Sequence, residues 1–236
     1  MNKLGIIGAM TVEVETLCGL LEDSVKHERA GMIFYEGTLE GMRVVICQCG
    51  VGKVNAALCV QIMCDLFSVD CIINTGVAGS LCPELDIGDF VISKDAMYHD
   101  FNCYILNPDY PVGQVPGMPV RAFPADPYMI EEAFKAAEKV HEGHARIGRI
   151  ASGDQFISDG NVKREIVENT GALCTEMEGT AIAHAAWRNQ IPFVVIRAIS
   201  DKADNSAQMD YPTFEAIAAQ RCALVTRKLA AALSAR

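Results

Sequence analysis

The chain has 236 residues and a formal net charge of −10, with half of its residues apolar and 21% charged. No basic run is longer than two residues, which excludes a non-specific binder of nucleic acid or anionic membrane, because both attract clustered lysine and arginine. The mean hydropathy of +0.18 excludes an extended disordered chain, and no apolar run approaches the roughly 18 residues of a membrane span.

The first half of the chain alternates short apolar strands with helix-like segments. The dipeptide Glu40-Gly41 separates two apolar runs, a pattern typical of a β-hairpin. The predicted elements are a strand at 4–10, a helix at 11–21, hairpin strands at 32–39 and 42–49, a helix at 53–67, and strands at 71–76 and 89–98.

The second half begins with a long irregular segment. Residues 100–125 contain five prolines and no periodicity, and loops of this length in a compact fold are usually functional. Asp126-Pro127 predicts a helix start, with Asp as the cap and Pro in the first turn. The remaining predicted elements are that helix to about Val140, strands at 145–152 and 172–177, a helix at 178–188, a strand at 192–200, and a terminal helix at 211–233 with Pro212 in its first turn.

The order of these elements predicts the fold class. Strands joined by helices favour an α/β fold in three layers with a largely parallel sheet, and the early hairpin adds antiparallel pairs, so we expect a mixed sheet. The sequence has no internal repeat, low-complexity segment or linker. We therefore expect residues 1–236 to form one domain.

Ten cysteines raise the question of a disulfide scaffold. Such scaffolds are small and loop-rich, whereas here Cys47, Cys49 and Cys71 lie within apolar runs. In that setting cysteine behaves as a small buried hydrophobe. No signal peptide pattern precedes the first strand, so we expect a reduced, cytoplasmic protein.

Glycines and carboxylates recur where the predicted strands end. Ligands of α/β sheets bind outside the carboxyl ends of the strands, glycine allows close approach of the backbone, and carboxylates serve acid–base chemistry. Each feature also has a plain structural explanation, since a glycine can simply turn the chain and Glu178 can simply favour a helix N-terminus. The segments are Met10 with Glu13, Gly50–Lys53, Gly76–Gly79, Gly153–Ile157, Glu176–Glu178, and Ser200 with Asp201.

Two nucleotide-binding motifs are excluded by their spacing. Gly50-Val51-Gly52-Lys53 resembles the end of a phosphate loop, but that motif needs glycine at the position of Cys47 and serine or threonine at that of Val54. The pair Gly5 and Gly8 lacks the G-x-G-x-x-G spacing of a dinucleotide-binding fold, and no acidic residue follows about 20 residues later after a clean second strand.

A metal site and a serine nucleophile are not expected either. His141 and His144 are spaced i, i+3 around a glycine rather than i, i+4 on a helix, which favours a solvated loop. Five scattered histidines without a cysteine pair at finger spacing predict no metal and no cofactor. The G-x-S-x-G elbow of serine hydrolases is absent.

Six segments together resemble the 5′-methylthioadenosine/S-adenosylhomocysteine nucleosidase family of the nucleoside phosphorylase/hydrolase superfamily. The resemblance spans nearly the whole chain in matching order, and the pairing of RAISD with EMEG is specific. The segments are GIIGAM-x-x-E (5–13), GVGKVNAA (50–57), INTGVAG (73–79), SGDQFI (152–157), EMEG-x-AIAH (176–184) and PFVVIRAISD (192–201).

This resemblance implies a fold and a reaction. The fold is a single α/β domain with a mixed, partly barrel-like central sheet, usually a homodimer without metal. The reaction is hydrolysis of the N-glycosidic bond of a 5′-substituted adenosine to adenine and a 5-substituted ribose, in methionine salvage and the methyl cycle. The implied partner is thus a small nucleoside, and neither nucleic acid nor a membrane.

The resemblance also implies catalytic roles. Adenine leaves readily once it is protonated at N7, and the sugar passes through an oxocarbenium-like state. Asp201 matches the general acid at N7, and Glu13 matches the carboxylate that activates the water. Glu178 matches the carboxylate that holds the ribose hydroxyls, and Arg197 positions this network together with Glu176.

Further positions are implied to contact the substrate. Phe156 stacks on adenine, the backbone of Ile157 reads the adenine edge, and Met177 lies under the sugar. Tyr211 and Phe214 fall where the family has an aromatic residue that closes the site. The other implied binding residues are Met10, Val51, Val77, Ala78, Gly79 and Ser200.

The distribution of arginine favours water over phosphate as the nucleophile. Related phosphorylases cradle phosphate with arginines in the first strand–helix loop and before the central glycine-rich loop. Here Thr11-Val12 and Asn74-Thr75 occupy those places. An anionic co-substrate without basic partners is poorly held, so hydrolysis is expected.

Two departures from the family pattern leave the substrate open. Val77 stands where bacterial members commonly have serine, and the loop at 101–116 differs in length and composition. In the family this loop crosses to the partner subunit, and its apolar lining here would be residues 103–106. Methylthio, homocysteinyl, 5′-deoxy and futalosine-type substituents all remain open, as do a purine or uridine phosphorylase and a non-catalytic nucleoside sensor.

Overall fold

The computed structural model describes residues 1–235, which form a ten-stranded mixed sheet flanked by six helices. The strands are β1 (Leu4–Gly8), β2 (Glu22–Arg29), β3 (Met32–Leu39), β4 (Met42–Gln48), β5 (Cys71–Ser80), β6 (Phe90–Tyr98), β7 (Phe123–Pro124), β8 (Ala145–Ser152), β9 (Cys174–Glu176) and β10 (Phe193–Asp201). The helices are α1 (Thr11–Gly19), α2 (Lys53–Phe67), α3 (Pro127–Val140), α4 (Gly160–Thr170), α5 (Gly179–Arg188) and α6 (Ala207–Ser234).

Five of the strands close into a barrel. The neighbours run β10-β6-β8-β9-β5, and a parallel pairing of β10 with β5 joins the two ends. From β5 the sheet continues outward through β1 and β4 to the antiparallel strands β3 and β2. This arrangement confirms the predicted α/β fold with a mixed, partly barrel-like sheet.

Helices cover the sheet on both sides, so the fold has three layers. On one side α2 and α5 pack together over a core that includes Ile7 and Val195. On the other side α1, α3 and α6 pack over a core that includes Ile6 and Val194. Alternate residues of a strand point to opposite faces, and for this reason β1 and β10 contribute to both cores.

Most predicted elements are present, and the hairpin turn has the expected geometry. Glu40 (φ +52°) and Gly41 (φ +77°) both lie in the left-handed region, as a two-residue hairpin turn of type I′ requires. Asp126 caps α3 by accepting the N–H of Met129 at 2.9 Å, and Pro127 begins the helix.

Three local features differ from the sequence prediction. Strand β2 is present although its residues are almost all exposed, so it carries no apolar alternation to detect. Helix α4 is present, with Asp159 as its N-cap and Gly171 (φ +63°) at its end. Helix α6 begins at Ala207 rather than 211, and Pro212 therefore lies inside it rather than in its first turn.

Two further observations concern the cysteines and membrane crossing. All ten cysteines are free thiols, as the sequence predicted. Across residues 1–235, no helix combines the length and apolarity that a bilayer crossing demands.

Candidate active site

A cleft opens where the carboxyl ends of β1, β5, β9 and β10 converge. Small ligands bind in concave, mostly apolar sites with a few polar groups, as this cleft is. The residues that line it are Ala9, Met10, Glu13, Val51, Val77, Ala78, Gly79, Gln155, Phe156, Ile157, Thr175, Glu176, Met177, Glu178, Ser200, Asp201 and Tyr211.

Glu13 lies in the first turn of α1 and is almost fully buried. Its Oε2 accepts the backbone N–H groups of Ala9 (2.7 Å) and Met10 (3.0 Å), and its Oε1 accepts that of Val77 (3.0 Å). Burial raises the pKa of Glu13, while Arg197 and these N–H groups oppose the rise. The carboxylate therefore caps the helix and faces the cleft at the same time.

Arg197 lies beneath the cleft and joins its carboxylates. The residue is 1% exposed, and its guanidinium contacts Glu176 directly, with Glu178 at 3.9 Å and Glu13 at 4.0 Å. Asn74 accepts a further hydrogen bond from Nη2 at 2.5 Å. Burial disfavours the charged form, but the three carboxylates outweigh it and raise the pKa of Arg197.

Strand alternation explains why an arginine stands in this place. One face of β10 carries Val195, Arg197 and Ile199, because alternate residues of a strand point the same way. Val195 and Ile199 belong to the core beneath α2 and α5. Arg197 is paired with Gly76 of β5. A Cβ at Gly76 would lie 2.1 Å from Nη1 of Arg197 and 2.2 Å from Oε1 of Glu13, so only glycine leaves room for this contact.

Glu176 and Glu178 occupy the start of α5. Oε2 of Glu176 accepts the N–H groups of Glu178 (3.0 Å) and Gly179 (2.7 Å), which places its charge at the helix N-terminus. Oε1 of Glu178 accepts the N–H of Gly52 at 2.8 Å. Gly52 has a φ of +98°, a conformation that favours glycine. Burial and the neighbouring Glu176 raise the pKa of Glu178.

Asp201 ends β10 on the other side of the cleft. A shift of register between β10 and β5 lies at Ser200, and such bulges re-aim the next side chain. Oδ1 of Asp201 accepts the N–H of Ala203 at 2.8 Å, and Oδ2 accepts the Ser200 hydroxyl at 2.9 Å. Burial is the main cause that raises the pKa of Asp201.

Aromatic side chains frame the mouth of the cleft. Phe156 is half exposed and meets Tyr211 edge to face, with ring centroids 5.5 Å apart. The Tyr211 hydroxyl lies 3.2 Å from Sδ of Met10 and donates to Glu215 at 2.9 Å. Ile157 is buried beside Phe156. The result is an apolar slot whose flat wall suits a planar ring.

The charge of the lining is one-sided. Four carboxylates line the cleft, and among the described residues that line it there is no lysine, arginine or histidine. The nearby cation, Arg197, is already surrounded by three of those carboxylates. Such a cleft favours a ligand that is neutral or develops positive charge, and it repels an anion.

The structure brings together nearly all of the residues that the sequence predicted. The predicted catalytic and binding residues line the cleft, with two exceptions: Arg197, which lies just beneath it, and Phe214. Phe214 does not line the cleft; it lies in a separate hollow with Ile217 and Arg221. The lining residues that sequence reasoning missed are Ala9, Gln155 and Thr175.

Adjacency in the sequence was the available signal for these missed residues. Ala9 and Gln155 each directly precede a predicted site residue, and Thr175 precedes Glu176. Phe214 was placed at the cleft together with Tyr211. Whether Phe214, three residues after Tyr211, also reaches the cleft depends on where α6 begins and how its axis is oriented. The sequence prediction had α6 beginning too late.

The loop at 101–116 lies outside this chain's cleft. Ile105 is 97% exposed and Leu106 is 84% exposed, whereas Phe101 and Val115 of the same loop pack against the core. In a single chain, residues 103–106, which were predicted to line a site, therefore lie outside the cleft and are mostly exposed.

Comparisons with known proteins agree with this geometry. The model of the phosphorylase superfamily matches residues 3–231. A 5′-methylthioadenosine/S-adenosylhomocysteine nucleosidase of Actinobacillus succinogenes is 40% identical over 230 residues, 97% of this chain and 98% of that protein.

Solved structures share the fold over the whole chain. The nucleosidase of the same name from Neisseria meningitidis, in complex with methylthio-immucillin-A, has a TM-score of 0.94 at 35% identity, covering 98% of this chain and 100% of that one. The native structure of futalosine hydrolase of Helicobacter pylori has a TM-score of 0.91 at 29% identity, with 97% of each chain covered.

Proposed function

Because the chain belongs to the 5′-methylthioadenosine/S-adenosylhomocysteine nucleosidase family within the phosphorylase superfamily, we propose that it hydrolyses the N-glycosidic bond of 5′-substituted adenosines. The products are adenine and the 5-substituted ribose. The observation that carries this proposal is the cleft itself, in which four carboxylates and a flat apolar wall surround a space that no lysine, arginine or histidine of residues 1–235 lines.

Asp201 is the general acid in this proposal. The bond between C1′ of the ribose and N9 of adenine breaks more easily when N7 takes up a proton, because the base then leaves neutral. A carboxyl group can donate that proton near neutral pH only if its pKa is raised. Burial raises the pKa of Asp201, and the Ser200 hydroxyl at 2.9 Å orients the group.

Glu13 is the general base. Water adds its oxygen to C1′ while one of its protons passes to a carboxylate, so this group must be ionised. Three backbone N–H groups and Arg197 at 4.0 Å stabilise the ionised form of Glu13 against its burial. The N–H of Val77 is one of these donors, a backbone contact that does not depend on which side chain stands at that position.

The remaining carboxylates hold the sugar. Glu178 faces the cleft from the start of α5 and accepts hydrogen bonds from the ribose hydroxyls, with Met177 under the ring. Glu176 is anchored by the helix N-terminus and Arg197. It accepts the N–H of Glu178 and holds the guanidinium that pairs with Glu13. As positive charge develops on the sugar, the surrounding carboxylates stabilise it.

The apolar end of the cleft holds the base. Phe156 stacks on adenine, the backbone of Ile157 reads its edge, and Tyr211 closes the mouth above them. The other residues proposed to contact the substrate are Met10, Val51, Val77, Ala78, Gly79 and Ser200.

The direct test is release of the free base in buffer without phosphate. We expect the purified chain to release adenine from 5′-methylthioadenosine and S-adenosylhomocysteine under these conditions. A panel of nucleosides with methylthio, homocysteinyl, 5′-deoxy and futalosine-type substituents then gives the order of preference by kcat/KM.

Two outcomes would overturn the proposal in different ways. Turnover that appears only after phosphate is added, with a sugar phosphate as product, would make the chain a phosphorylase. A kcat/KM at least tenfold higher for the futalosine-type substrate than for 5′-methylthioadenosine would instead assign it to that reaction.

The chain is also proposed to act as a homodimer. Tyr104, Ile105 and Leu106 are exposed in the loop at 101–116, and Val54 of α2 is 78% exposed. Burial of these side chains against a second copy would remove apolar surface from water. Light scattering after size exclusion should give twice the 25.6 kDa of one chain; a monomer at micromolar concentration would contradict the proposal.

A cytoplasmic location and a single domain complete the proposal. Ten free thiols suit a reducing compartment, and a single family match extends over residues 3–231. Cell fractionation tests the location. Coincident urea transitions by fluorescence and circular dichroism would support one cooperative unit, while two separated transitions would oppose it.

A further inference from the structure

Two histidines and one aspartate form a cluster outside the cleft. Asp89 directly precedes β6, and His141 and His144 lie in the turn between α3 and β8. One nitrogen or oxygen atom from each of the three residues lies within 4.8 Å of the other two. The Nδ1 atom of His144 is 2.6 Å from Oδ1 of Asp89, and the two imidazole rings stack with centroids 3.7 Å apart.

The backbone builds this arrangement from residues distant in sequence. His141 ends α3 in an extended conformation, Gly143 turns the chain with a φ of +77°, and the N–H of His144 donates to the carbonyl of His141 at 3.2 Å. The carbonyl of His144 then accepts the N–H of Phe90 at 2.7 Å. This last bond brings the turn against Asp89, a residue that the sequence spacing could not connect with it. Residues 142–144 are exposed, as expected of a solvated loop, and the turn is in addition fixed against Asp89.

The cluster has the properties of a ligand set. Imidazole nitrogens are the commonest protein ligands of transition metals. Nδ1 of His141 is buried and has no hydrogen-bond partner among the described residues. Asp89 is itself held, since its Oδ2 accepts the N–H of Asp86 at 2.8 Å. The nucleosidase chemistry uses none of the three residues.

We propose that Asp89, His141 and His144 bind one divalent transition-metal ion of the kind that prefers imidazole, with Zn²⁺ as the test ion. Two imidazoles and one carboxylate match the three-ligand sets of open zinc sites, and nitrogen ligands disfavour Mg²⁺ and Ca²⁺. Tetrahedral ligands lie about 3.3 Å apart. Binding therefore requires the carboxylate of Asp89 to move slightly away from Nδ1 of His144 and become the third ligand. The two rings must also turn out of their parallel stack, because each nitrogen lone pair lies in its ring plane and two parallel planes cannot both contain one ion.

The position of the cluster gives it a link to the cleft. The carbonyl of Asp89 accepts the N–H of Ile199 at 2.9 Å, and the N–H of Gly88 donates to the carbonyl of Ile199 at 2.8 Å. Ile199 lies two residues before Asp201 on β10. Because a bound ion could alter turnover through this strand, the test rests on binding rather than on activity.

The test measures binding of Zn²⁺ alone to the full-length reduced chain, in competition with a chromophoric chelator. We expect one ion per chain, and at least about tenfold weaker binding in H141N/H144N, comparable to the loss from second-sphere changes. His27→Asn is the matched control, because it removes a partly exposed imidazole that lies outside the cluster and should leave binding unchanged. Asp89→Asn, which keeps an acceptor for the Asp86 N–H, gives an independent loss if the double variant does not fold.

The ten thiols require a second readout. Co²⁺ bound in place of Zn²⁺ shows sulfur-to-metal charge-transfer absorption only when a thiolate is a ligand, and we expect none. The proposal is overturned if wild-type chain binds no Zn²⁺, if the histidine and aspartate variants bind as tightly as the His27→Asn control, or if the Co²⁺ spectrum shows thiolate ligation.

Discussion

The two sides of the cleft hold their carboxylates in different ways. On the sugar side, Glu13, Glu176 and Glu178 surround the buried guanidinium of Arg197 and accept six backbone N–H groups between them. On the base side, Asp201 accepts one backbone N–H and one hydroxyl, and the described residues place no cation within ion-pair distance of it.

This difference separates a base from an acid. Oriented N–H groups and a cation stabilise the ionised form of a carboxylate, while burial without a cation favours the neutral form. Burial raises the pKa of Glu13, Glu178 and Asp201 alike, but on the sugar side the Arg197 guanidinium opposes the rise. The sugar side is therefore the better able to hold negative charge as an oxocarbenium-like sugar develops, and Asp201 is the better able to carry a proton to the base. Four predictions test this separation.

Removal of the cation should have the largest effect. Arg197→Met leaves three buried carboxylates without their counter-charge, so we expect a loss of about 3–5 kcal/mol in the free energy of unfolding, as for other broken buried ion pairs. Urea unfolding at pH 7 measures it, and turnover should fall below detection.

Arg149→Met is the matched control for this variant. Arg149 pairs with Asp95 at 2.6 and 3.0 Å but is about a quarter exposed and lies outside the cleft, so we expect a loss of about 1 kcal/mol. Equal losses in the two variants would mean that the sugar-side carboxylates are neutral without Arg197, and the comparison between the two sides would fail.

Replacement of the acidic group on the base side should affect catalysis more than folding. Asp201→Asn keeps an acceptor for the N–H of Ala203 but cannot transfer a proton to N7, so we expect kcat to fall by roughly 10²–10⁴-fold with little change in KM. Steady-state adenine release measures both constants. Asp204→Asn, a nearby and partly exposed carboxylate, should keep wild-type kcat; an unaltered kcat in Asp201→Asn would remove this residue from the chemistry.

An added methyl group on the sugar side should reduce the free energy of unfolding by less than the loss of Arg197 does. Gly76→Ala places a methyl group about where Nη1 of Arg197 and Oε1 of Glu13 approach the backbone, so the network has to shift. We expect a loss of about 1–3 kcal/mol together with reduced kcat. Gly160→Ala, where a methyl group meets nothing within 4 Å, should lose no stability. An active and fully stable Gly76→Ala chain would show that the network is not tightly packed.

The sequence predicted the parts of the molecule where local pattern decides structure. Apolar strands, the Glu40-Gly41 turn and the Asp126 cap are local signals, and the residues at the strand ends were found because parallel strands end together. Strand β2 escaped because an exposed strand has no apolar period, and its pairing with β3 depends on the Ala30-Gly31 turn (φ +53° and +74°).

Contacts between distant residues were beyond the sequence pattern. The stacked turn of His141 and His144 meets Asp89 only because β6 and β8 pair side by side. Arg197 was assigned to the carboxylate network by resemblance, but its complete burial and the close approach of Gly76 follow from barrel closure. In each case the missing information was which strands become neighbours.

The smallest effect should be a difference in how stability depends on pH. The folded-state pKa of Asp201 is raised above its unfolded value, so its contribution to stability is fully present below the unfolded pKa and is lost as pH rises through the folded pKa. Asp201→Asn lacks this titration. Relative to wild type, the free energy of unfolding of the variant should therefore increase over that pH range, by about 1.4 kcal/mol for each unit by which the pKa is raised.

For Asp204, hydrogen bonding to the Ser206 N–H is the main cause of a lowered pKa, so Asp204→Asn should lose stability relative to wild type as pH rises. Urea midpoints of the three chains between pH 3 and 8 measure both slopes; slopes of the same sign would mean that the fold favours the charged form of Asp201 over its neutral form.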